Sequence, residues 1–237
     1  MLVLMCGRYT NTAGPEELND RFRVPIPGPA GTGRFNIAPT EQVLAIVAPE
    51  GRPEATMLRW GLVPSWASEI KGPLMINARL ETVAEKPAYR RLVPRGQRRA
   101  LQIADGYYEW LKPEAKGSST QKQPPQPFHF QVDGGVPFAF AAVWTPARVA
   151  GEWLHSCSLL TCDSTPNRIA AAIHDRMPVI LADAEAQQAW LDPAVGTAEA
   201  LELCGALPGE RLTARPANPA LNNVRTAVDG PELLLAP

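Results

Sequence analysis

Short runs of strand-forming residues recur along this chain, and turn residues close nearly every one of them. Gln42 to Val47 is followed by Pro49-Glu50-Gly51 and then by Ala55 to Trp60, which predicts a hairpin. Leu101 to Ala104 and Tyr107 to Trp110 flank Asp105-Gly106 as a second strand, turn and strand. Phe128 to Val132, Phe138 to Trp144 and Ser156 to Thr161 add further strands. Residues 25–33 are too rich in proline and glycine to be anything but loop. Lys112 to Pro127 is a low-complexity segment, expected as a mobile loop between two strands of one sheet. Only short helices fit between these runs. Pro15 to Phe22 has proline in its first turn and apolar residues at Leu18 and Phe22. A second helix is expected with Pro166 at its first position and Ile169 and Ile173 on one face, and a third over Ala184 to Leu191.

At 237 residues the chain suits one large domain or two small ones, and a core of that size needs no covalent staple. Its four cysteines (Cys6, Cys157, Cys162, Cys204) contain no CxxC pair, and its three histidines have no metal-like spacing relative to them. Reduced thiols, no structural zinc and no cofactor are therefore expected. No stretch approaches eighteen uninterrupted apolar residues, which predicts a soluble, cytoplasmic protein without a membrane partner. The net charge of −1 argues against a generic polyanion binder. Locally the balance differs: Lys86, Arg90, Arg91, Arg95, Arg98 and Arg99 follow one another with no acid among them. Such a strip is either a solvated face or a grip for a bounded stretch of phosphate backbone.

The start of the chain holds the most reactive combination. In Met5-Cys6-Gly7-Arg8-Tyr9, Cys6 becomes a leading residue if translation starts at Met5 and that methionine is removed. It then carries an α-amine and a thiol on neighbouring carbons. An α-amine titrates near ~7.7 to 8.0, so roughly a tenth of it is unprotonated at neutral pH. It can form an imine with an aldehyde, and the adjacent thiol can close a thiazolidine on the same carbon. The other reading of Cys6 is a small apolar side chain on an edge strand. Four further residues carry similar pairs of readings. Glu109 between Tyr108 and Trp110 is either a desolvated general acid or ordinary strand alternation. His174, at the junction of a helix and a strand, is either an acid/base group or a structural histidine. Trp60 and Trp66, around Gly61 and Pro64, are either packing or rings that stack on unpaired bases.

Six segments, in order, resemble the SRAP family, the SOS-response-associated proteins that capture abasic sites in DNA. They are Met5-Cys6-Gly7-Arg8-Tyr9, Asn36-Ile37-Ala38-Pro39, Arg59-Trp60-Gly61-Leu62-Val63-Pro64-Ser65-Trp66, Ile76-Asn77-Ala78-Arg79 with Glu81-Thr82, Ala104-Asp105-Gly106-Tyr107-Tyr108-Glu109-Trp110, and Ile173-His174-Asp175-Arg176-Met177-Pro178. The resemblance implies a domain over residues 5–237 that forms a thiazolidine crosslink to an abasic site in single-stranded DNA, including at junctions with duplex. It implies that Cys6 is the nucleophile, that Glu109 moves protons, that Asn77 senses the lesion and that His174 assists opening of the sugar ring. Arg8 and Arg79 would grip flanking phosphates, and Trp66 with Trp60 would pack near exposed bases. Peptidase-like processing of the N-terminus and lyase chemistry belong to the same implication. The family's cysteine directly follows the initiator methionine. Here it is residue 6, which is expected to reflect either a start assigned four residues early or self-cleavage after Met5. Tyr107 stands where relatives often carry phenylalanine, a change expected to leave function unaltered.

The expected fold is α+β: a single domain with a curved, largely antiparallel, barrel-like β core and peripheral helices, acting as a monomer. Two other functions fit parts of the sequence. One is an N-terminal-nucleophile amidohydrolase or peptidase using Cys6 with Asn77 or His174. The other is a non-covalent single-strand binder that needs the tryptophans and arginines but not the thiol.

Overall fold

A computed structural model describes residues 6–28, 31–111, 124–223 and 229–235. The chain begins with β1 (Arg8–Asn11), α1 (Pro15–Phe22), β2 (Arg34–Ile37), β3 (Gln42–Val47), β4 (Glu54–Trp60) and β5 (Asn77–Arg79). The central strands are β6 (Arg99–Ala104), β7 (Gly106–Leu111), β8 (Gln126–Val132), β9 (Phe138–Val149) and β10 (Glu152–Asp163). There follow α2 (Arg168–Ala171), β11 (Arg176–Pro178), β12 (Ile180–Leu181), α3 (Ala184–Leu191), α4 (Thr197–Glu202) and β13 (Leu212–Pro216).

Five of these strands close on themselves. β10 pairs with β4, β4 with β3, β3 with β6, β6 with β9, and β9 with β10 again, which makes a barrel without free edges. β5 and β11 extend the ring along β10, and β12 along β9. The remaining strands form an antiparallel sheet in the order β13, β8, β7, β1, β2. Among the described residues only the pairings of β10 with β4 and β5 are parallel. An aromatic layer joins barrel to sheet. Tyr9 of β1 meets Trp60 and Phe140 edge-on at 5.3 and 5.7 Å, and Tyr107 of β7 stacks on Phe130 at 4.6 Å. Edge-on and offset ring pairs of this kind add about 0.5–1.5 kcal/mol each beyond the area they bury. The α+β barrel-like core expected from sequence is thus the one observed, and no helix among the described residues is long and apolar enough to cross a membrane.

Local expectations held unevenly. The hairpin of β3 and β4, the first helix and the helix over Ala184–Leu191 match. The helix expected to start at Pro166 begins two residues later. Asn167 is its cap, accepting the N–H groups of Ile169 and Ala170, and this outcompetes proline at the first position. Asp105-Gly106 is not a hairpin turn, because β6 belongs to the barrel and β7 to the sheet. Arg99 leaves the basic strip altogether: it is fully buried and donates to the carbonyls of Val93, Trp190, Asp192 and Val195. The low-complexity segment does separate two strands of one sheet, β7 and β8, although residues 112–123 lie outside the described residues.

Asp105 is the corner where chain passes from barrel to sheet. Its carboxylate accepts the Thr10 hydroxyl at 2.6 Å, the Thr12 amide and hydroxyl, and the Ala13 amide at 3.1 Å, while its own N–H donates to Thr10 O at 3.0 Å. One side chain therefore anchors the end of β1. Gly106 follows because a Cβ there would overlap the His129 ring. That ring is buried against Thr10 and Tyr108, and burial pulls its pKa down to about 4 although Asp105 pulls the other way.

Replacing Asp105 with alanine leaves four donors without their shared acceptor, so Asp105→Ala should lower unfolding free energy by about 2–4 kcal/mol in denaturant titration. A loss below about 1 kcal/mol would show that the corner does not anchor β1. His129 binds its proton more weakly folded than unfolded. Its contribution is therefore whole above pH ~6.5 and drains away as pH falls toward about 4. Between pH 7 and pH 4.5, wild type should lose about 2 kcal/mol more than His129→Gln. Parallel pH profiles for the two proteins would refute the assignment.

Candidate functional site

β1 and β7 run antiparallel with Arg8 opposite Tyr108 and Tyr9 opposite Tyr107. Continuing that register sets Gly7 beside Glu109. The backbone nitrogen of Cys6 donates to Glu109 Oε1 at 2.6 Å. Both residues are buried, at 0% and 2% exposure. Cys6 holds this position with φ of +42°, in the left-handed region that a side chain with a Cβ rarely adopts.

The thiol itself is not activated in the resting state. Burial, and after it the charge of Glu109, raises its pKa well above that of a free cysteine. Burial does the same at Cys157, and it lifts Cys162 to about 11 and Cys204 to about 12. Thiolate character therefore does not single out Cys6. What does is the carboxylate against its nitrogen.

The other expected residues gather near the far end of β10. Asn77 and Arg79 of β5 pair with Leu159 and Thr161, and Arg176 of β11 pairs with Asp163. The Arg176 guanidinium forks onto both oxygens of Glu81 at 2.5 and 2.8 Å and also donates to Thr161 O at 2.6 Å. This fork ties the Asn77 to Glu81 segment to the strand that follows His174. His174 closes the turn after α2, where its carbonyl accepts the Ser164 hydroxyl at 2.6 Å. Its Nδ1 lies 3.1 Å from the Arg176 backbone N–H and 2.8 Å from the exposed Asp175 carboxylate.

Tyr107 links the two groups. It lies two residues before Glu109 on β7, hence on the same face, and it is fully buried. Burial raises its pKa first, and the charges of Cys6, Glu109 and Cys162 raise it further, so its hydroxyl stands within electrostatic reach of all three. Among the described residues that hydroxyl has no hydrogen-bond partner. Sequence reasoning gave Tyr107 no role, and its only signal was the two-residue spacing from Glu109. The Glu81–Arg176 fork was equally invisible, since its halves are 95 residues apart.

Arg8 is 5% exposed, with Nη1 donating to Asn36 Oδ1 at 2.5 Å, and burial lowers its pKa. Its register partner is Tyr108, so its side chain lies on the face of the sheet opposite Tyr107 and Glu109, whereas Arg79 is exposed. The two tryptophans separate. Trp60 is wholly buried and its Nε1 donates to Ile76 O at 3.1 Å, so it packs the core and cannot present a face to a base. Trp66 is 65% exposed, and the stacking expectation passes to it alone.

A family model described as SOS response associated peptidase (SRAP) matches residues 5–224. The abasic site processing protein YoaM of Bacillus subtilis is 36% identical over 193 residues, covering 80% of each chain. The abasic site processing protein YedK of Escherichia coli is 29% identical over 237 residues, covering 97% of this chain and 99% of that protein. A crystal structure of a protein from Bacteroides thetaiotaomicron superposes with a TM-score of 0.80 at 20% identity, covering 97% and 98% of the two chains.

Because the Tyr107 hydroxyl is buried without a partner, Tyr107→Phe removes a desolvation cost without opening a cavity. The variant should be at least as stable as wild type and up to about 1 kcal/mol more so in thermal or denaturant unfolding. A loss above 1 kcal/mol would show that the hydroxyl is bonded in solution.

Proposed function

The chain belongs to the SOS response associated peptidase family, and from that premise we propose that it processes abasic sites in single-stranded DNA, bonding to them covalently through Cys6. The observation that carries this reading is the Glu109 carboxylate held 2.6 Å from the Cys6 nitrogen, in a pocket where both groups are buried. Once the peptide bond before Cys6 is cleaved, by removal of an initiator methionine or by the protein's own peptidase-like chemistry, that nitrogen is a primary amine.

The opened sugar presents C1′ as an aldehyde. The amine adds to C1′, and loss of water gives an imine. The thiol then adds across the C=N bond, its proton passing to nitrogen, and the thiazolidine closes with one water lost overall. Glu109 is placed to take a proton from the attacking amine and return it to the leaving hydroxyl, a role worth ~10²–10⁴ in rate. The resting thiol is neutral, so the amine acts first and the thiol second. His174 would assist ring opening of the closed sugar, and Asn77 would hydrogen-bond beside the lesion. Arg8 and Arg79 would hold the neighbouring phosphates, where guanidinium forks suit the anion. An imine that escapes ring closure can undergo β-elimination, which is the lyase side of the same chemistry.

Protein beginning at Cys6, mixed with an oligonucleotide holding one abasic site, should give a heat-stable shifted species on a denaturing gel. Cys6→Ala should give none. Cys6→Ser keeps the amine but lacks the thiol, so it should yield strand cleavage and an adduct that survives only after borohydride reduction. Glu109→Gln should slow adduct formation by about 10²-fold or more. Equal adduct from wild type and Cys6→Ala would end this reading.

A further inference from the structure

The hairpin of β9 and β10 runs past the end of the barrel and carries a row of rings and cations on one face. Cross-strand pairs put Trp153 beside Arg148, His155 beside Pro146, and Cys157 beside Trp144. Directly opposed residues share a face, and successive alternate residues line it. Ring contacts join the rungs: Trp144 meets His155 at 5.6 Å, and the Arg98 guanidinium lies 4.6 Å over the Trp144 ring. The inner end of the row is buried, whereas Trp153, His155 and Arg148 are exposed and Trp153 is 69% open to solvent. No acidic side chain belongs to this face, since Glu152 pairs with Val149 on the opposite one. Among the described residues neither Arg98 nor Arg148 has an acidic partner within salt-bridge distance. Arg95 adds a second positive charge close enough to work against that of Arg98.

A route connects this face to the candidate site. The loop over residues 61–75 leaves β4 and returns to Asn77, closed by Leu62 N–H donating to Met75 O at 3.0 Å. It lies along the start of β10, with Val63 N–H on the Ser156 hydroxyl at 2.8 Å and Ala150 N–H on Ser68 O at 3.1 Å. Exposed Trp66 stands on that loop.

We propose that the β9–β10 hairpin face, with Trp153 as its exposed ring and Arg148 and Arg98 as its cations, is a second binding surface for the single strand flanking the lesion. Open aromatic faces and guanidinium groups without acids suit a ligand that alternates flat bases with phosphates. A protein partner would need no such excess of positive charge. From Leu159, the partner of Asn77, to Trp153 is six residues of strand, or about 20 Å. That is the length of about six nucleotides at a stacked spacing of ~3.4 Å. Short oligonucleotides should therefore fill the site without touching the hairpin.

The proposal rests on the reading that the site takes abasic DNA, and the experiment separates the two. Oligonucleotides with one abasic site and either three or twelve flanking nucleotides, extended on the 5′ or the 3′ side in separate arms, are titrated against protein beginning at Cys6. Wild type should bind one of the long-flank arms about tenfold more tightly than the short. Trp153→Ala should remove that gain, Trp153→Phe should restore most of it, and Arg148→Glu should diminish it while flattening its salt dependence. Adduct formation at saturating DNA should be unchanged in all three. Adduct formation by wild type, with Trp153→Ala keeping the full long-flank gain, overturns the hairpin surface and leaves the site reading intact. Weaker binding of short and long oligonucleotides alike in Trp153→Ala also overturns it. No adduct with any oligonucleotide, alongside Trp153-dependent binding of long strands, overturns the site reading and leaves the surface.

Discussion

Cys6 sits just ahead of a four-residue strand, and such a strand has no stability of its own. What holds it is the Asp105 carboxylate, which gathers Thr10, Thr12 and Ala13 at one end of β1 while the ladder to β7 fixes the rest. Since Asp105 is also the residue by which the chain leaves the barrel, the register of β1 is referenced to the most rigid part of the molecule. A slip of one residue in β1 would reverse every side chain on it. Tyr9 would leave the aromatic layer and Gly7 would no longer stand beside Glu109. The encounter of nitrogen and carboxylate thus follows from packing some distance away.

The environment of Cys6 treats its two polar atoms differently. At the sulfur, the thiolate is disfavoured both by loss of water and by the neighbouring carboxylate. At the nitrogen, that same carboxylate accepts the N–H at 2.6 Å. A cysteine used as an ordinary thiolate nucleophile would require a cation or a histidine beside the sulfur, and the group found there is an anion.

Much of this was legible in the residues themselves, and the reasons it was are local. Strand alternation and proline punctuation placed β3, β4 and the helix over Ala184–Leu191, because those signals act over a few residues. Six short motifs identified the family whose model matches residues 5–224. What stayed hidden depends on contacts across the chain. Arg99 reads as one more surface cation until four carbonyls are found closing around it. Trp60 and Trp66 read alike, yet one fills the core and the other faces solvent, because Trp60 ends a barrel strand while Trp66 rides on the loop that follows. Asp105-Gly106 has the composition of a hairpin turn, and only the pairing of its flanking strands with different partners shows it to be a corner.

The barrel also fixes the spacing of the groups proposed to meet DNA. β10 is shared by four other strands, pairing with β9 along one edge and with β4, β5 and β11 along its length. Asn77, Arg79 and the turn bearing His174 are docked near one end of it, and the Trp153 hairpin projects from the other. Groups fixed on one strand keep their spacing without a hinge between them, so on the proposed reading the distance from lesion to flank is set by strand length, and the ordering cost of a flexible polyanion falls on the DNA.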